Sequence, residues 1–153
     1  MRKSGRDNAE KNIPWDLPAL KPGLSRTLQK TVTEPDILPF GRGKLAELVA
    51  TPTMTALMIE AAVEAIDPML PENYCTIGTS TAVTYLNATF VGMTLTVVAT
   101  LASIEGRHLS FEIMAFDELG QVGRGKHERH IVNADHFMQT ARKRCEAVQT
   151  KIK

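Results

Sequence analysis

Two positions apart in the segment GRGKHERHIV stand His127 and Arg129, the pair of side chains with the most chemistry to offer. On a strand, residues two apart project to one face, so an imidazole and a guanidinium would share it while Glu128 and His130 take the other. An imidazole that titrates near neutrality can serve as general base, and a guanidinium can hold a phosphate or a carboxylate. The plainer alternative is a solvated ladder of charges. His127 and His130 lie three apart and fall on opposite faces, which argues against a shared metal, so no metal site is expected.

Other residues carry chemistry with a plain alternative beside it. Thr51 precedes Pro52, so its hydroxyl either caps a helix start or faces a substrate. Tyr85 either orients a carbonyl through its phenol or packs as an ordinary strand aromatic. Cys75 would be a nucleophile only if a helix N-terminus or a fixed cation lowered its pKa, and an inert thiol is the simpler reading. Gly78, inside the threonine-rich run CTIGTSTAVTYLNAT, marks a bulge or a place where a ligand or another backbone comes close.

These residues need elements to position them. Ala50 to Ile66 places apolar residues at Ala50, Met54, Leu57, Met58, Ala61, Ala62, Ala65 and Ile66, the spacing of one buried helix face, with Asp67-Pro68 as its stop. Its roughly 22 Å length suits a sheet that wraps it. Alternation predicts a first strand over Leu24 to Thr33, a second over Cys75 to Thr89 and a third over Met93 to Glu105. Glu105-Gly106-Arg107-His108 is a hairpin turn, followed by strands with Leu109, Phe111, Ile113 and Ala115 inward and then Val122 to Val132. The order is strand, long helix, four consecutive antiparallel strands in a meander: an α+β wrap. Asp36 to Leu48, with Pro39, Gly41 and Gly43, reads as a loop or short helical turn. The tail carries Phe137, Ala141, Cys145 and Val148 at helical spacing, which predicts a surface helix.

At 153 residues the chain has the length of one domain. It divides into an extension over 1–22, a wrapped domain over 23–133 and a helical tail over 134–153. The extension, with Ile13, Trp15, Leu17 and Leu20 as its apolar anchors, is either disordered or pinned to a neighbouring surface. A net charge of +1 gives no electrostatic case for nucleic acid as a partner, and no apolar run reaches the length of a membrane span. Two cysteines, Cys75 and Cys145, fit reduced thiols, and a cytoplasmic protein is the default.

The segments ATPTMTALMIEAA, IGTSTAVTYLNATFVGMTLTV and SIEGRHLSFEIMAFDELGQVGRGKHERHIV, between about Leu20 and Val132, resemble in order the hotdog-fold thioesterases, in particular the fluoroacetyl-CoA thioesterase branch. The resemblance implies a homodimer whose acyl-CoA sites lie between subunits, the long helix of one chain facing strands of the other, with no cofactor. It also implies a threonine at the helix start, a glutamate eight positions later and a histidine on the second strand as the groups that carry hydrolysis. Thr51 matches the first, but Ile59 and Tyr85 stand at the other two. Gly78 matches a strand glycine near the substrate, and Arg129 an arginine close to the site. Glu60 does not substitute for the missing glutamate, since one residue along a helix turns a side chain by about 100°.

Cleavage of a thioester needs a base near the carbonyl and a donor for the oxyanion, and isoleucine supplies neither. The expectation is therefore a thioesterase-like protein that hydrolyses or recognises a short acyl-CoA. If it hydrolyses, Thr51 and the Gly78 backbone frame the thioester, and Tyr85, His127 and Arg129 replace the missing pair. The alternative is a binding protein that keeps the pocket, made more apolar by Ile59 and Tyr85, without hydrolysis. A different reaction on the same fold has no specific signature in the chain.

Overall fold

The structure, a computed structural model, describes residue 17, residues 19–37, residue 45 and residues 47–152. The anchors Ile13 and Trp15 and the predicted loop residues Pro39, Gly41 and Gly43 lie outside the described residues. Five strands form one antiparallel sheet: β1 (Ser25–Thr31), β2 (Tyr74–Tyr85), β3 (Thr94–Glu105), β4 (His108–Asp117) and β5 (Gly120–Asn133). Helix α1 (Thr51–Ile66) packs across the inner face of that sheet, and helix α2 (Ala134–Ile152) follows β5.

The alternation seen in the sequence is the alternation of burial. Leu95, Val97, Ala99 and Leu101 of β3 and Leu109, Phe111, Ile113 and Ala115 of β4 are all buried, as is the face of α1 carrying Met54, Leu57, Met58, Ala61, Ala62, Ala65 and Ile66. Burying one such large apolar side chain contributes roughly 1.5–3 kcal/mol, so the two faces together account for the wrap. Gly123 and Gly125 of β5 let α1 come close: a Cβ at Gly123 would stand 2.6 Å from the Met54 sulfur, and one at Gly125 3.4 Å from that of Met58.

One expectation is corrected. The strands do not run as a four-membered meander, because the sheet order is β1-β3-β4-β5-β2. Only β3, β4 and β5 are consecutive neighbours, with the tight Glu105 to His108 hairpin between the first two and Gly106 at φ 60°. β2 pairs instead with β5 and forms the far edge. The cause is the connection from residue 86 to residue 93, which crosses the start of α1. Thr89 O accepts the Val49 N–H, the Val91 N–H donates to Glu47 O, and the Gly92 N–H donates to Val32 O.

The start of α1 also differs from expectation. Ala50 is the N-cap and Thr51 the first helical residue, so Thr51 does not cap the helix with its side chain. The N-cap region is tied down by backbone: the Ala50 N–H donates to Asp36 O. Asp36 in turn accepts from the backbone and hydroxyl of Thr33 and pairs with Lys30. Before the first strand, Leu20 is buried and Leu17 packs on the core. Helix α2 lies on the surface, with Phe137 and Val148 exposed, and its His136 N–H is capped by Asn133 Oδ1.

Candidate functional site

β2 and β5 build the site between them. In their register Gly78 faces Arg129 and Thr81 faces His127, with a bulge between Gly78 and Ser80. The bulge inserts one residue and so reverses the side-chain alternation of β2 along its length. Thr76 and Gly78 before it, and Thr81, Val83 and Tyr85 after it, consequently share the inner face. On β5, His127 and Arg129 also face inward and are almost fully buried, at 2% and 5% exposure.

Arg129 is held through all three of its guanidinium nitrogens. Its Nε donates to Thr76 Oγ1 at 2.7 Å and its Nη2 to Thr76 O at 2.8 Å, while Nη1 lies 3.1 Å from His127 Nε2. On the other side of the imidazole, Nδ1 is 3.0 Å from Ser80 O and 2.6 Å from Thr81 Oγ1. A carbonyl only accepts, so Nδ1 carries the proton and Nε2 presents its lone pair to Arg129. Gly78 puts no side chain over this cluster. A Cβ there would lie 3.1 Å from His127 Cε1 and 3.2 Å from Arg129 Nη1, and the glycine itself is exposed.

Thr51 and Tyr85 gather elsewhere. The Tyr85 hydroxyl donates to Val49 O at 3.3 Å and accepts the Thr89 N–H at 3.2 Å, so the phenol clasps the backbone around the start of α1. Thr51 is half-buried, its carbonyl accepts from Thr55 Oγ1, and its hydroxyl has no hydrogen-bond partner among the described residues. Ile59 lies two turns further along α1, half-buried. From Gly78 to Tyr85 is roughly 20 Å of strand. Within one chain the predicted residues thus form two groups: Gly78, His127 and Arg129 together, and Thr51 with Tyr85 near the helix start.

The fold recurs in known proteins. Residues 32–135 match the family model described as fluoroacetyl-CoA-specific thioesterase. A fluoroacetyl-CoA thioesterase of Streptantibioticus cattleyicolor is 39% identical over 101 residues, covering 66% of this chain and 73% of the relative. This chain belongs to the fluoroacetyl-CoA-specific thioesterase family. A fluoroacetyl-CoA-specific thioesterase mutant solved with fluoroacetate and CoA aligns at 33% identity and a TM-score of 0.71 over 77% of this chain and 99% of that one. A hot-dog-like protein from Thermanaerovibrio acidaminovorans aligns at 29% identity and a TM-score of 0.76, covering 80% and 91%. The expected hotdog fold is therefore the fold of this protein.

Burial, and then the charge of Arg129, hold His127 below its ordinary value, so at neutral pH the imidazole is uncharged. Burial also pulls Arg129 down, opposed by the carboxylate of Asp67. Burial and Asp67 push the Cys75 thiol up, which suits the inert reading.

A family-wide reading of the sequence passes over three residues that complete the cluster: Asp67, Thr76 and Thr81. Thr76 had a legible signal, since it stands two before Gly78 on the same strand face. Asp67 lies beyond the helix end and reaches Thr76 only through the fold. A cavity of about 740 Å³ lies on the opposite face of the sheet, against the first turns of α2, between Tyr74, Arg107, His130 and His136, and it contains none of the expected site residues. Among the described residues no group of three or more His, Cys, Asp or Glu could hold a metal, and no helix is long and apolar enough to cross a membrane.

Proposed function

We propose that this protein takes a short acyl-CoA thioester and hydrolyses it in a site shared between two copies of the chain. The observation that carries the reading is the bare, exposed Gly78 on an edge strand, which has no side chain between the surface and the nearly buried Arg129 Nη1 and His127 ring. The class of ligand is supported by the family and by the relative solved with fluoroacetate and CoA.

Dimerisation supplies the rest of the site. β2 ends the sheet, and its exposed stretch from Gly78 to Ala82 is a long, unblocked edge, a template for pairing with another chain. An antiparallel partner strand would bring its own Tyr85 end beside this chain's Thr76 and Gly78, and with it the unpartnered hydroxyl of its Thr51. The two groups that one chain keeps apart would then face one ligand.

In the proposed reaction the thioester carbonyl takes the Nη1–H of Arg129, which releases the lone pair of His127 Nε2. That nitrogen accepts a proton as water attacks the carbonyl carbon. The C–S bond then breaks, His127 passes its proton to the departing CoA thiolate, and the acyl group leaves as a carboxylic acid that loses its remaining proton to solvent, the carboxylate being held by Arg129. Thr51 positions the water or the carbonyl.

A second reading is supported by Ile59 and by the engaged phenol of Tyr85: a protein that binds acyl-CoA without cleaving it. Free-thiol release from a panel of short acyl-CoAs, with calorimetric titration alongside, separates the two. Turnover by the wild-type protein that is lost in Arg129→Met supports hydrolysis. Binding without thiol release, with release appearing in Ile59→Glu combined with Tyr85→His, supports the second reading. Neither binding nor release would remove acyl-CoA as the ligand.

A further inference from the structure

Asp67 sits at the electrostatically wrong end of α1. The C-terminus of a helix carries partial negative charge and favours cations, yet the last turn of α1 has no basic residue and Asp67 is its C-cap, with its N–H donating to Val63 O. A carboxylate there is unfavourable to α1, although Asp67 also opens the short 3-10 turn Asp67–Met69, and its side chain has a specific partner across the fold. That partner is Thr76. Its Oγ1–H donates to Asp67 Oδ1 at 2.5 Å, and its backbone N–H donates to Oδ2 at 3.2 Å.

A hydroxyl has one proton and two lone pairs. With the proton of Thr76 committed to Asp67, a lone pair is left facing Arg129 Nε at 2.7 Å, and the Thr76 carbonyl takes Nη2 at 2.8 Å. Two of the three guanidinium nitrogens are then fixed, and planarity aims the third. We propose that Asp67 is a positioning residue: acting through Thr76, it holds the Arg129 guanidinium so that Nη1 faces the opening at Gly78. Its role in thioester handling rests on the reading of Gly78 and Arg129 as the ligand-binding face.

The position also explains how a nearly buried cation is tolerated. Arg129 makes no ion pair shorter than 4 Å among the described residues, and Asp67 lies one hydroxyl away as its nearest compensating charge. Asn at this position would keep the size and lose the function. An amide offers one acceptor oxygen, whereas Thr76 presents two donors, so one of them would meet an NH2 group.

The test follows the Arg129 Nε–H directly, by its ¹H–¹⁵N resonance and hydrogen-exchange rate, assigned through its disappearance in Arg129→Lys. In the wild-type protein this hydrogen is protected. The expected result is exchange at least tenfold faster in Asp67→Asn, in a protein that stays folded by circular dichroism with a lowered Tm, because Thr76 loses an acceptor and Arg129 its compensating charge. Acyl-CoA affinity or kcat/KM falls about tenfold in parallel. Thr76→Val, which leaves Asp67 in place, gives the same loss of protection, and Thr76→Ser retains it. Protection in Asp67→Asn equal to the wild type overturns the proposal. Protection lost in Asp67→Asn in a protein that neither binds nor cleaves any acyl-CoA keeps the positioning role and overturns the thioester reading instead.

Discussion

Arg129 Nη1 lies 3.1 Å from His127 Nε2, and neither atom is covered by a side chain from the facing residue, Gly78. The imidazole is thereby both a brace for the guanidinium and a latent base. While Arg129 donates to it, its lone pair is spent, and a ligand oxygen that draws Nη1 away frees it. The same contact explains why a residue as small as glycine faces them.

Gly78→Ala places a methyl group within 3.2 Å of Arg129 Nη1 and 3.1 Å of His127 Cε1. Both side chains are nearly buried and braced, so they can give only by breaking hydrogen bonds. The expected outcome is a folded protein, destabilised by about 1–3 kcal/mol, with acyl-CoA affinity or turnover down at least tenfold. Urea unfolding and thiol release check the two parts.

Stability should fall as pH drops below about 6.5. The unfolded His127 takes up a proton near its ordinary value of 6.5, while burial and Arg129 hold the folded one below it. Between those values the unfolded chain binds more protons, so the stability that neutral His127 contributes is complete above pH 6.5 and is lost as pH falls through the folded value. His127→Gln should flatten the slope. Chemical denaturation at pH 8.0, 6.5 and 5.5 measures both proteins.

The fit between α1 and β5 predicts a ranking of two substitutions. A Cβ at Gly123 would stand 2.6 Å from the buried Met54 sulfur, whereas one at Gly125 meets the Ala82 carbonyl oxygen and Val83 Cγ2 at 3.3 Å and the Met58 sulfur at 3.4 Å. Gly123→Ala should therefore cost more stability, about 1–3 kcal/mol, than Gly125→Ala, with the order read from denaturation midpoints.

A shared site predicts complementation. Thr51→Ala and Arg129→Met each damage both sites of a homodimer, but a mixed dimer regains one intact site of its two. Random mixing of the two variants should recover about a quarter of wild-type activity. Recovery of none, with mixed dimers confirmed by mass spectrometry, would place Thr51 and Arg129 in the same chain's site.

Much of this protein follows from local pattern. The buried face of α1, the alternating faces of β3 and β4, the Glu105 to His108 turn and the pairing of His127 with Arg129 on one face are each set by period and turn chemistry, which nearest neighbours in sequence determine. The bulge was readable as a possibility at Gly78, because a strand glycine invites one. Its effect was not readable. Gly78 and Tyr85, seven apart, would face opposite ways on a regular strand, and only the extra residue before Ser80 puts both inside.

The tertiary structure decided what depends on long-range pairing. Alternation tells a strand which face to bury but not which strand to sit beside, so the place of β2 at the edge, beside β5, came from the connection over the helix start. The tautomer of His127, the hold of Thr76 on Arg129 and the reach of Asp67 to Thr76 likewise join residues far apart in the chain through hydrogen bonds whose directions no spacing encodes. Sequence alone determined which chemical groups are present and, outside the bulged β2, which face each takes; the bulge and the packing of β2 against β5 and the end of α1 determined which of them meet, because side-chain hydrogen bonds act over about 3 Å and only a folded backbone brings such groups that close.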